Sequence, residues 1–103
     1  MNAKRYIPLL IGALALPVTL HADDDVGPDR VVELLNSGSI RGFDELNAAA
    51  LAPHPGASIS ETELEEFLGR YIYSVELRDA AGVRRDIEID ASTGAILSDR
   101  EDT

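Results

Sequence analysis

The sequence predicts an α+β domain in which two N-terminal helices pack on one face of a small antiparallel sheet of three to four strands. Three observations carry this reading. Tyr71–Leu77 and Val83–Ile89 alternate apolar and polar residues, the period of a half-buried strand, and Asp79-Ala80-Ala81-Gly82 between them has the composition of a hairpin turn. A second turn, Asp90-Ala91-Ser92-Thr93-Gly94, is followed by Ile96-Leu97, which return to the sheet. Upstream, Val31, Leu34 and Leu35, and then Phe43, Leu46, Ala50 and Leu51, recur at helical spacing.

Residues 1–22 read as a signal peptide and stand outside the fold. Lys4 and Arg5 supply a positive start, and Tyr6 to Leu20 is apolar apart from Thr19 and interrupted by Pro8, Gly12 and Pro17. Leu20-His21-Ala22 ends on the small residue that signal peptidase requires, so cleavage is expected between Ala22 and Asp23. Leu20 fits the small-residue position two before the cut poorly, which leaves an uncleaved anchor as the alternative. A transmembrane helix needs about 20 apolar residues without such breaks. The product is therefore expected in the periplasm or the medium, with no stable membrane insertion after cleavage. No cysteine is present, so neither an acyl group on Cys nor a disulfide is available in that oxidising compartment. About 80 residues remain, enough for one domain near the size at which a single core becomes marginal.

The formal net charge is −10. All 19 acidic residues follow residue 22, whereas Lys4 and Arg5 precede it, so the cleaved chain is more acidic still and its basic groups are all arginines. Such a field repels phosphate backbones and anionic lipid head groups. Nucleic acid is excluded as a partner class on this ground. A basic protein surface or a cation is compatible, as is plain solubility.

Residues 23–42 comprise an acidic lead and a first helix. Asp23-Asp24-Asp25 reads as a solvated tail, because it lacks the alternate ligands, turn glycine and distal glutamate of a calcium loop. Gly27-Pro28-Asp29 opens the helix: proline suits the first helical position, Asp29 favours the positive end of the dipole, and Gly38 is a C-terminal stop. The second helix spans Phe43 to Leu51, with Asp44 and Glu45 in its first turn and Pro53 beyond its end. Ala48, Ala49 and Ala50 allow it to approach a sheet closely.

His54, flanked by Pro53 and Pro55, is expected as an exposed loop residue, with no nearby Cys or His to complete a zinc site. Ser58–Leu68 admits two readings. Ser60 and Glu63 form a capping-box pair ahead of Leu64, Phe67 and Leu68 on one helical face; as a strand, Ile59 and Leu64 point inward. The strand is the expectation, with a bulge or helical turn near its end. In the next two strands Tyr71, Tyr73, Val75, Leu77, Ile87 and Ile89 face the helices, while Arg84, Asp86 and Glu88 face out. Residues 99–103 form a polar C-terminal tail.

The succession Tyr73-x-Val75-x-Leu77, Asp79-x-x-Gly82, Ile87-x-Ile89-Asp90-Ala91-x-Thr93-Gly94 and Ile96-Leu97, with Pro55-Gly56 upstream, resembles the PepSY domain over residues 43–98. One departure is Phe67-Leu68, where family members usually carry a polar turn. The resemblance implies a small, mostly extracytoplasmic module met in propeptides of secreted metalloproteases and as short stand-alone proteins. It implies no catalytic residues and no cofactor; Asp79, Gly82, Asp90, Ala91, Thr93 and Gly94 are its structural signature. It further implies a non-catalytic binding or inhibitory module whose partner is an extracytoplasmic peptidase or sensor protein. A sensor of a small ligand or cation is the alternative.

The residues themselves offer no competing chemistry. There is no cysteine, no Gly-x-Ser-x-Gly elbow and no Gly-x-Gly phosphate loop, and only His54 follows residue 22 among histidines. Glu61, Glu63 and Glu65 share one strand face by alternation, as expected of a solvated edge. The candidate partner-binding surface is the outward face of the two clear strands, where Arg70, Arg78 and Arg84 surround Ile72 as apolar anchor.

Overall fold

The computed structural model describes residues 23–102, so Ala22 and the signal segment lie outside the described residues, whereas Asp23 is the first inside. The elements are β1 (Asp23–Asp25), α1 (Pro28–Ser37), α2 (Phe43–Leu51), β2 (Ser58–Phe67), β3 (Arg70–Arg78), β4 (Arg84–Asp90) and β5 (Ile96–Glu101). The strands form one antiparallel sheet in sequence order, β1-β2-β3-β4-β5. This is the expected α+β arrangement of helices on a four-stranded antiparallel sheet, extended by the three residues of β1.

Two expectations are corrected at the sheet edges. The acidic lead is an edge strand rather than a solvated tail: Asp23, Asp24 and Asp25 pair with Phe67, Glu66 and Glu65. The C-terminal residues 99–101, expected as a tail, continue β5, with Asp99, Arg100 and Glu101 opposite Ile87, Asp86 and Arg85. In both places the ladder is made by main-chain groups. Charged side chains are compatible with an edge strand and even protect it from further pairing. Their polarity conceals the strand.

α1 starts with Pro28 at its first position and ends at Gly38 (φ 76°), whose left-handed backbone closes the last turn onto the carbonyls of Leu34 and Leu35. α2 brings Leu46 and Ala50, both fully buried, onto the sheet. The inner sheet face answers with Leu64, Tyr73, Val75, Leu77, Ile87 and Ile89, and Leu34, Ile40 and Ala91 complete the buried core. The Phe43 and Tyr73 rings stack with centroids 5.3 Å apart, and the Tyr73 hydroxyl donates to Asn47 Oδ1 at 2.8 Å. The buried ring thus keeps its polar group satisfied.

Ser58–Phe67 is a strand, with its irregularity near the start rather than the end: the register with β3 shifts between Ile59 and Glu61. The β2–β3 hairpin closes through Leu68 and Gly69, between the paired residues Phe67 and Arg70. Both turn residues have positive φ, 52° and 80°, as a two-residue hairpin loop of the I′ kind requires.

Candidate functional site

The sheet face away from the helices is organised in rows set by register. One row is Glu63, Ser74, Glu88 and Ser98 across β2 to β5; the next is Glu61, Glu76, Asp86 and Arg100. Ser74 is the short side chain at the middle of the first row. The longer side chains around it leave a shallow groove of about 220 Å³, lined by Glu61, Glu63, Glu76, Asp86, Glu88 and Arg100 among others. Directly opposed carboxylates, such as Glu76 with Glu61 and with Asp86, destabilise a sheet unless a cation is near. Arg84 answers part of that charge, donating to Glu76 Oε2 at 2.7 Å and to Asp102 Oδ2 at 3.0 Å.

The four residues expected to form one partner-binding surface stand at the two ends of this face. Arg78 and Arg84 oppose each other at one end, where Arg78 Nη1 donates to the Gly82 carbonyl at 3.0 Å. Arg70 and Ile72 lie at the other end, where Arg70 Nη2 donates to Asp90 Oδ2 at 3.2 Å. Ile72 is half-buried between Glu65 and Asp90, one row from the groove. The middle of the face is acidic.

The six signature residues build two turns. Asp79 Oδ1 accepts from the amides of Ala81 and Val83, both at 2.9 Å, and Gly82 takes φ 84°. Asp90 Oδ1 accepts from the Ser92 amide and hydroxyl at 2.9 and 2.7 Å, while the Gly94 amide donates to the Asp90 carbonyl at 2.7 Å. The Ser92 hydroxyl, with its amide and Arg70, holds the Asp90 carboxyl below its usual range although burial opposes this. The Thr93 hydroxyl accepts from the Ala95 amide at 3.2 Å. Ala91 is fully buried; its amide donates to the Tyr71 carbonyl and its carbonyl accepts from the Arg41 amide, so this turn ties the chain ahead of α2 to the sheet.

His54 departs from the expectation of an exposed loop residue. Its side chain is only 15% exposed, and Nε2 lies 2.7 Å from Asp99 Oδ2. Arg85 Nε donates to the other carboxylate oxygen at 3.0 Å. Burial raises the Asp99 carboxyl, but His54 and Arg85 outweigh it and leave the group below its usual range. The trio fastens the α2–β2 loop to β5. Among the described residues, two groups of three carboxylates, Asp25 with Glu63 and Glu65, and Glu76 with Asp86 and Asp102, bring ligand atoms within 4.8 Å of one another. Oxygen donors of this kind suit calcium or magnesium; in the second group the Arg84 guanidinium already lies against two of the three.

The fold and face thus define a small α+β module with a charged, open sheet surface and a two-helix cover. Residues 43–100 match the PepSY family, described as peptidase propeptide and YPEB domain. The chain belongs to that family. PepSY is a propeptide-type domain, generally non-catalytic, linked to peptidases and typically extracytoplasmic. No curated protein and no solved structure matches the chain. Among the described residues no helix is long and apolar enough to cross a membrane.

Proposed function

We propose that this chain is a non-catalytic binding module, periplasmic or secreted after removal of residues 1–22, that restrains or regulates an extracytoplasmic peptidase or sensor protein. The observation that carries the reading is the PepSY match over residues 43–100. The outer sheet face is the recognition surface, with Arg70 and Ile72 at one end, Arg78 and Arg84 at the other and the acidic groove between. A partner surface with basic groups opposite the groove complements it.

The two carboxylate groups favour a second reading, a sensor of divalent cations. The protein-binding reading is preferred because the family match supports it, and in the second of these groups Arg84 already counters the charge at Glu76 and Asp102. Titrating purified residues 23–103 into fractionated extracytoplasmic peptidases, with a fluorogenic peptide as reporter, tests the proposal. Dose-dependent loss of activity in at least one fraction is expected for a peptidase partner. Hydrolysis of the peptide by the chain alone would overturn the non-catalytic reading.

A further inference from the structure

The β2–β3 hairpin tip combines two features that folding alone does not explain. Leu68 is 76% exposed, the most exposed of the large apolar side chains among the described residues, and its neighbour Phe67 is 43% exposed. Leu68 also sits at φ 52°, whereas the other described residues with positive φ are all glycines. A bulky L-residue is disfavoured there, because its Cβ crowds the backbone, and Asn or Gly satisfies a two-residue hairpin without that strain. The same chain builds its β3–β4 turn with Asp79 as a side-chain cap and Gly82 at the positive-φ position. A strained, exposed leucine next to an exposed phenylalanine weakens the fold at that point. Such outliers cluster at active sites, ligand clamps and switch regions.

We infer that Phe67 and Leu68 form an apolar plug that inserts into an apolar pocket, rimmed by basic groups, on an extracytoplasmic partner protein. The inference rests on the protein-binding reading above and names the contact that would dominate it. The charge around the tip selects the occupant. Glu65 and Glu66 lead into the tip along β2, and exposed Asp25 lies opposite Glu65 on β1, whereas the one arginine at the tip, Arg70 opposite Phe67, already donates to Asp90 Oδ2. These carboxylates repel anionic lipid head groups, and two apolar side chains bury too little surface for a bilayer to hold them against that repulsion. A second copy would bring the same acidic flank against itself. A basic-rimmed pocket satisfies both the apolar tip and its acidic flank, as a central anchor within a polar rim does at protein interfaces.

The test places a photo-reactive benzoylphenylalanine at position 68 of the exported full chain, with positions 72 and 81 as comparison sites. The protein captured from position 68 is purified and its affinity measured for the wild type, Leu68→Asn and Leu68→Gly. The inference expects capture from position 68 but not 81, and at least tenfold weaker binding of both variants. It also expects Leu68→Asn to melt no lower than wild type, with relief of the strain raising the midpoint by roughly 4–8 °C. Wild-type affinity in Leu68→Asn overturns the inference, as does cross-linking from position 68 only to lipid, to residues 1–22 or to a second copy. Protein capture from position 72 but not 68 also overturns it while sparing the protein-binding reading; capture from neither site overturns both.

Discussion

Ile59 and Leu64 face the same side of the sheet although an odd number of positions separates them. Ile59 packs against the core and Leu64 belongs to it. Strict alternation would send one of them to the outer face, and the extra residue at Ser60, where the register shifts, brings both inward. The Ser60 hydroxyl donates to the Glu76 carbonyl at 3.1 Å, which fixes the bulge against β3.

Deleting Ser60 should therefore keep Ile59 inward and opposite Leu77, because Glu61 then follows it in strict alternation. The expected change in stability is below about 1.5 kcal/mol, less than the exposure of one aliphatic side chain would cost. Urea unfolding measures it. A loss of about 1.5–3 kcal/mol would show that the deletion exposes Ile59 and that Ser60 is not the extra residue.

The inner and outer faces differ in their tolerance. Ile89→Ala removes a fully buried side chain and should cost about 2–5 kcal/mol, a large part of the stability of so small a domain. Ile72→Ser, on the half-buried outer face, should cost less than half as much. Thermal melts of the two variants check the difference, and equal losses would place Ile72 in the core.

Acid should weaken the fold through Asp90 and Asp99. Both carboxyls are held below their usual range in the folded chain. Their contribution is present above the unfolded-state value, near pH 4, and is lost as pH falls through the lower folded-state values. The Asp90→Asn, Asp99→Asn double variant should show a shallower decline of the urea midpoint between about pH 4 and 2 than wild type. An identical acid limb would remove both residues from the account.

The tie between His54 and Asp99 predicts a local effect. His54→Ala should speed amide hydrogen exchange across Ile96–Glu101 while the centres of β3 and the β2 segment opposite it keep their protection. Uniform acceleration throughout the sheet would instead make His54 part of the global core.

Much of the architecture was legible in the residues. Phe43, Leu46, Ala50 and Pro53 mark both the face and the end of α2, and the Tyr71–Leu77 alternation is the inner face of β3 as observed. Three features were not legible for physical reasons. β1 and the end of β5 are main-chain pairings beneath charged side chains. His54 and Asp99 meet across 45 positions, a separation over which local pattern carries no information. On the outer face, alternation identifies the outward residues, but register decides which of them is central: Ser74 between Glu63 and Glu88, rather than Ile72 among arginines. The paired glutamates on β2 looked like a solvated edge, and only the rows contributed by β3 and β4 turn them into a groove.

The central claim is that the chain acts by holding another protein, and an affinity capture tests it most directly. Residues 23–103, immobilised through the C-terminus, are exposed to envelope extract, and the eluate is analysed for protein, metal and small molecules. The account predicts a specific extracytoplasmic protein, retained by wild type, lost in proportion to sheet-face or hairpin-tip substitutions, and recovered without any metal requirement. Retention of a divalent cation or metabolite with no protein, or turnover of a peptide or ester panel by the immobilised chain, would contradict it.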